Sequence, residues 1–294
     1  MTHRLIRNVV SLLALLIIAI FIALLIYSQK KTPHHQHEAL PSDKTIKIAT
    51  YNINFGNNAL DTVQQAILEA DPDIIALQET TYESESYLKK TLKDKFPYIT
   101  FQGFKGMYYA ERFGFLSKYP ILEKKYIEPK FGIFGTYYTV FEIGERKIQL
   151  ANVHLQPPNL FQSRNPFRKL KIMIQTKKNQ VCEIRRILDN RLPDIPTIIL
   201  GDFNSLDFFD APGCLRDSGF IDSAAQVMKD DEKRPTWQWQ TRSGEISARI
   251  DYIFHDRTFR TIDSRVIDKT SSDHHLLVSQ LRLLDENNGN SNNQ

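Results

Sequence analysis

The chain is poor in cysteine, with two residues in 294, Cys182 and Cys214. That excludes a disulfide framework as the organising device of the fold; the two form one bridge or none. Net charge is also small. Lys and Arg number 38 against 34 Asp and Glu, a balance of +4. This excludes an extreme polyanion binder but leaves room for a local basic patch. No internal repeat is present.

One stretch lacks charge altogether. VVSLLALLIIAIFIALLIY, Val9 to Tyr27, holds a single Ser among apolar residues. At about 1.5 Å per residue it can cross a hydrocarbon core of roughly 30 Å. A cleavable signal peptide is the rival reading, but its apolar core runs about 7–15 residues and ends in an A-x-A-like site. LLIYSQKK offers no such site. Residues 1–28 therefore read as one transmembrane helix, an uncleaved anchor. Arg4 and Arg7 precede the run, and Lys30 and Lys31 follow it, so the positive-inside rule gives little contrast. A short leader before a first span usually stays inside, which sets the main domain outside the cytoplasm, on a single-pass cell-membrane protein. Residues 29–44 are polar, carry two prolines and read as a tether. His34, His35 and His37 offer metal-ligand chemistry there, but a solvated linker is the favoured reading.

From Thr45 the pattern alternates. TIKIATYNIN reads as a strand, DTVQQAILEA as a helix with Asp61 at its N-cap, and DPDIIALQET as a buried strand. YESESYLKKTLKDKF reads as an exposed helix. RFGFLSK, TYYTVFEIG and RKIQLANVHL are strand-like, the last two joined across a Gly-containing turn. KKNQVCEIRRILDNR has Val181, Ile184, Ile187 and Leu188 on one helical face. TIILGDFN, ARIDYIFHD, FRTIDSRVID and HHLLVSQLRL are strand-like, and residues 285–294 read as a disordered tail. This predicts one α/β domain over 45–284, with a sheet core, helices outside and, because some strands follow each other directly, mixed pairing.

Several strands end in polar groups. In an extended backbone Asp202 and Asn204 of TIILGDFNS share a side. Asn52 lies in TYNIN, Glu79 in LQE, Asp251 inside ARIDYI, and Asp273 and His274 in SSDHH. Each has an ordinary explanation alone: a turn former, a helix-start charge, an Asp paired with nearby Arg249, a surface His. Together they are several carboxylates beside apolar strands, expensive to bury unless they share a cation and a charged histidine.

TYNIN, LQE, NVHL, GDFN, RIDYI and SDHH, in this order, resemble the endonuclease/exonuclease/phosphatase superfamily, over about residues 45–284. The resemblance implies a four-layer sandwich, two mixed β-sheets face to face with helices outside. It implies Glu79 as a metal ligand with Asn52 beside it and Asp273 as a second metal-side acid. It implies Asp202 and Asn204 as the pair that orients the attacking water and contacts phosphate, with Asp251 orienting a catalytic His274. His154 of NVHL matches a phosphate-contacting histidine. YYAERFGFLSK resembles a deoxyribonuclease segment, giving Glu111 as support for that histidine and Arg112 as a phosphate contact. Where the family often has Pro two residues after the catalytic histidine, this chain has Leu276, which loosens the turn without removing a functional group; His275 reads as a neighbour.

The implied chemistry is hydrolysis of a phosphodiester with Mg²⁺ or Mn²⁺ held by few carboxylates. For the substrate, nine Lys or Arg against two acids between Gln156 and Arg191 fit a nucleic-acid backbone, anionic lipid headgroups, or merely a solvated helix face. Aromatics crowd Phe96 to Phe141, with core packing the favoured reading. Trp237 and Trp239 share one face of an extended segment, with Trp237 expected at the substrate rim. A membrane-tethered nuclease-type phosphodiesterase is the leading expectation. A phospholipid or sphingomyelin phosphodiesterase and a non-catalytic binding module of the same fold are the alternatives. No protein partner is implied.

Overall fold

The computed structural model describes residues 45–103, 109–159, 163–229, 234–241, 244–268 and 270–284. The apolar run, the tether with its histidines and the tail lie outside them. Among the described residues no helix is long and apolar enough to cross a membrane.

Two six-stranded sheets form the body, in the orders β13-β14-β1-β2-β4-β3 and β5-β6-β7-β8-β12-β9. In the first, β1 (Thr45–Asn52) and β2 (Ile74–Gln78) are parallel, and β3 (Tyr98–Gly103), β4 (Arg112–Ser117), β13 (Phe259–Ile267) and β14 (Leu276–Leu283) extend them antiparallel. In the second, β7 (Arg146–His154) and β8 (Thr197–Asp202) are the parallel pair, flanked by β5 (Ile121–Ile127), β6 (Thr136–Ile143), β9 (Ile221–Asp222) and β12 (Asp251–His255). A separate hairpin pairs β10 (Trp237–Thr241) with β11 (Gly244–Ala248). Both sheets are mixed, as the directly consecutive strands predict.

Each parallel pair is bridged by a helix, as parallel strands require. α1 (Leu60–Ala70) links β1 to β2, and α3 (Pro166–Asn190) links β7 to β8. α2 (Tyr82–Leu92), started by a Thr81–Ser84 capping box, lies beside α1. α4 (Asp210–Asp217) packs against α3, and α5 (Ser223–Val227) is short.

Period-two alternation divides the core. Ile46 and Ile48 of β1, Ile148 and Leu150 of β7, and Ile198 and Leu200 of β8 meet Phe113, Phe115 and Phe141 between the sheets. Ala49, Tyr51 and Ile53 face the other way, onto Val63, Ile67, Leu88 and Leu92 of α1 and α2. Ala151, Val153 and Ile199 meet Ile184 and Ile187 of α3. The result is a four-layer sandwich of two sheets with helices outside. Strands covered on both faces read as nearly continuous apolar runs, which is why they stand out in the sequence.

Three local readings are corrected. The N-cap of α1 is Ala59, whose amide donates to Asn57 Oδ1 at 2.9 Å; Asp61 sits in the first turn. α3 starts at Pro166 under an Asn165 cap, eleven residues before Lys177. Asp251 opens β12 rather than lying inside it. Cys182 and Cys214 are free thiols.

Candidate active site

The polar cluster continues the inter-sheet core. On β1 the inward series is Ile46, Ile48, then Thr50 and Asn52; on β8 it is Ile198, Leu200, then Asp202. On β7, Ile148 and Leu150 give way to Asn152 and His154. The switch from apolar to polar occurs at the C-terminal ends of both parallel pairs, where open α/β sheets place ligands. Directly beneath the cluster, Gln78 Nε2 donates to Thr50 Oγ1 at 3.0 Å and to Asn152 Oδ1 at 2.7 Å, while Asn152 Nδ2 donates to the carbonyls of Leu77 and Gly114. This network ties one sheet to the other.

Asp202 is the hub. Its Oδ2 accepts from Asn52 Nδ2 at 3.1 Å and Asn204 Nδ2 at 3.0 Å, with His154 Nε2 at 3.5 Å and His274 Nε2 at 3.6 Å. Its Oδ1 accepts the Asn204 amide at 2.8 Å. Asp202 and Asn204 do meet, but through a turn rather than an extended backbone, since Asn204 has φ of 46°. The end of β1 repeats the device: the Asn54 amide donates to Asn52 Oδ1 at 3.0 Å, and Asn54 has φ of 60°. Asn is among the residues that tolerate this left-handed region best.

Glu79 follows Gln78, so simple alternation would point it away from the inter-sheet layer. A φ of 57° redirects it. Its Oε1 accepts from Asn52 Nδ2 at 3.0 Å and lies 3.7 Å from His154 Nε2; its Oε2 accepts the Phe55 amide at 3.2 Å. The next residue is braced: the Thr80 amide donates to the Arg112 carbonyl, and Thr80 Oγ1 donates to Glu85 Oε1.

His274 pairs with Asp251, Nδ1 to Oδ2 at 2.9 Å, both buried. Burial opposes charge on the imidazole, but Asp251 and Asp202 outweigh it and push its pKa up to about 10. Burial pushes the Asp202 carboxyl up to about 8, against the pull of His274. Burial and the neighbouring His274 charge push His154 down to about 3, so it is neutral; its ring stacks on Phe134 with centroids 3.8 Å apart. His275 faces elsewhere, with Nδ1 3.2 Å from Thr270 Oγ1.

Asp273 accepts from Asn54 Nδ2 at 2.8 Å and from Trp237 Nε1 at 3.2 Å, which puts half-buried Trp237 at the rim. Trp239, next on that face, is exposed. Arg112 donates Nε and Nη2 to Glu85 and covers the Tyr82 ring, so its contacts are with α2 rather than with the cluster. Glu111 is buried in the turn before β4, next to Ala110, whose backbone reaches His154. Arg249 pairs with Asp222, not Asp251. Of the aromatics, Phe96, Phe113, Phe115, Phe134, Tyr137, Tyr138 and Phe141 are buried.

Several supporting residues are not among the expected site residues. Ser272 Oγ donates to the Asn52 carbonyl and accepts the His274 amide. Thr236 Oγ1 accepts the Ile250 and Asp251 amides. Gln180 of α3 donates Nε2 to the carbonyls of Gln156, Phe203 and Asn204. Asn54, the second amide of TYNIN, and Ser272, the first residue of SDHH, lie inside the sequence motifs; Thr236 and Gln180 do not.

The donor set fits a hard divalent cation. Glu79, Asp202 and Asp273 set carboxylate oxygens against the Asn52 and Asn54 side chains, and burial pushes the Glu79 and Asp202 carboxyls up, a cost that a bound cation would relieve. Asp202, Asp251 and His274 each bring one potential ligand atom within 4.8 Å of the others. An imidazolium bound to Asp251 is a proton donor, so a cation at this grouping must compete with that ion pair.

Similar solved structures share the fold. An endonuclease/exonuclease/phosphatase from Beutenbergia cavernae DSM 12333 superposes with a TM-score of 0.66 at 16% identity, covering 82% of this chain and 72% of its own. D. rerio TDP2 complexed with single strand DNA product gives 0.62 at 18%, covering 82% and 100%. The human Nocturnin catalytic domain with bound sulfate anion gives 0.61 at 16%, covering 82% and 94%. No curated protein matches the chain. The Endonuclease/Exonuclease/phosphatase family profile matches residues 49–274, most of the described domain. The chain belongs to that family.

Proposed function

We propose that the chain is a divalent-metal-dependent hydrolase of phosphodiester bonds, with a nucleic-acid strand as the favoured substrate. The convergence of Asn52, His154, Asn204 and His274 on one buried carboxylate, Asp202, with Glu79 held by the same Asn52 amide, carries this reading. The single-strand DNA product in the TDP2 structure supports the choice of strand.

Each side chain has a role in this reading. Asp202, positioned by Asn52 and Asn204, accepts a proton from the attacking water. His274, kept protonated by Asp251, offers Nε2–H to the charge that develops on the phosphoryl or leaving oxygen. Neutral His154 donates to a phosphate oxygen from a ring fixed by Phe134. Glu79, Asn52 and Asp273 would hold Mg²⁺ or Mn²⁺, which would supply charge to neutralise phosphate oxygens and favour the ionised form of Asp202. Trp237 and Asn52 line the substrate rim, while Glu111 and Arg112 brace the wall behind it. Residues 1–28 anchor the chain in the cell membrane through the 29–44 tether, with the domain outside the cytoplasm.

The test uses the full chain in detergent, stripped with EDTA and reloaded with Mg²⁺ or Mn²⁺, on single-stranded DNA, double-stranded DNA, RNA and phospholipid vesicles. Metal-dependent cleavage of nucleic acid that disappears in His274→Ala is the expected result. Cleavage of lipid alone moves the substrate to the phospholipid branch. Silence on every substrate, with the fold intact, leaves the non-catalytic binding module.

A further inference from the structure

The first half of α3 carries an apolar stripe that faces solvent. The buried residues of this helix, Thr176, Gln180, Glu183, Ile184 and Ile187, all lie from its eleventh residue onward. Before them, Phe167, Leu170 and Ile174 recur at i, i+3 and i+7 and are 73%, 44% and 47% exposed. One such residue on a surface is ordinary; three along one helical line, off the buried face, are not. Exposed Arg168, Lys171 and Lys178 flank the stripe, and Arg164 precedes it. From Gln156 to Cys182 there are six basic residues and no acid. The segment thus has the build of an interfacial helix, apolar along one line and cationic beside it.

Its position relates it to the site. α3 runs back from the site end of β7 toward the start of β8, so its N-terminal half lies toward the site end of the sheets. Its Gln180 holds the Phe203 and Asn204 carbonyls. We infer that this half-helix docks on an anionic phospholipid surface and turns the mouth of the site toward the bilayer.

Two observations select a bilayer as occupant. A nucleic-acid backbone complements the charges but gives the apolar line nothing to bury, whereas anionic lipid complements both. The chain preceding the domain also reaches. β1 begins at Thr45, at the end opposite the site, roughly 23 Å from Asn52 at about 3.3 Å per residue. Residues 29–44, if extended at about 3.3–3.6 Å each, span roughly 53–58 Å, so a membrane-inserted apolar run leaves slack for the site end to face the membrane. The inference rests on the proposed anchor for that reach alone, and is independent of which phosphodiester is cleaved.

The experiment uses the full chain with an environment-sensitive fluorescent amino acid at position 167, or at exposed Glu123 of β5 as control. Vesicles are phosphatidylcholine alone or phosphatidylcholine with phosphatidylglycerol. Flotation with neutral vesicles reads the anchor separately from the helix. The expected result is a blue shift at 167, quenched by brominated acyl chains, that requires phosphatidylglycerol and is absent at 123. The combined Arg168→Glu, Lys171→Glu and Lys178→Glu variant should lose the shift while hydrolysing a soluble phosphodiester in detergent at the parent rate. Water-like emission at 167 in both compositions overturns the inference. So does a shift that follows added single-stranded oligonucleotide rather than lipid charge, which assigns the face to nucleic acid. A shift that grows with protein density in neutral vesicles assigns it to a second copy and overturns it equally.

Discussion

Asp251 and His274 make the sharpest residue-scale claim. If His274 acts protonated, activity must fall as pH rises through its folded pKa, pushed up to about 10 by Asp251 and Asp202 against burial. Asp251→Asn removes one of those charges, so the imidazole loses its proton at lower pH. The alkaline limb of kcat/KM should then move toward neutrality, together with a rate loss on the order of a hundredfold. An unmoved limb would contradict the pairing. His154 works in the opposite direction. Its folded pKa, about 3, lies below the usual 6.5, so unfolding takes up a proton between these values. Its contribution to stability is present above about pH 6.5 and is lost as pH falls toward 3. His154→Gln should flatten the loss of stability in that window, measured by denaturant unfolding at several pH values. The residue types at these positions were legible because polar groups interrupt apolar strands. Glu79's orientation was not: alternation points it outward, and only the left-handed backbone brings it in.

At the scale of elements, matching turns end β1 and β8, and a close backbone contact lies beside one of them. Gly201 has φ of 140°, and a Cβ there would lie 1.9 Å from the Val153 carbonyl oxygen. Gly201→Ala should therefore destabilise the domain by about 3 kcal/mol or more and displace Asp202, read by thermal unfolding and activity together. Parent-like stability would mean that β7 and β8 do not approach this closely. The Gln78–Asn152 network makes a second prediction. Asn152→Ala strands buried partners and should cost about 1–3 kcal/mol, with the loss seen in urea midpoint before any change in metal dependence. Strands covered on both faces were easy to read in sequence. β10 was legible as an extended segment, but its pairing with β11 was missed because Glu-Ile-Ser of β11 is exposed. The start of α3 was missed for a related reason: its first apolar residues face solvent, so they do not extend the buried stripe of Ile184 and Ile187.

For the whole molecule, the site exists only where the two sheets meet. Asn52 and Glu79 come from one sheet, His154, Asp202 and Asp251 from the other, and Asp273 and His274 from the loop before β14. Spacing along the chain cannot give their distances; six ordered motifs and a family fold can, which is why the resemblance found the cluster and single residues did not. The packing between the sheets is accordingly part of the catalytic account: Phe115→Ala, in the inter-sheet core, should cost about 3–5 kcal/mol. The most direct test compares the full chain with Asp202→Ala, both stripped of metal, in hydrolysis of a phosphodiester before and after Mn²⁺ is restored. The account predicts that Mn²⁺ restores the parent and that the variant stays at least about a hundredfold slower at every metal concentration. A variant that recovers the parent rate would contradict the assignment of Asp202 as the centre of the site.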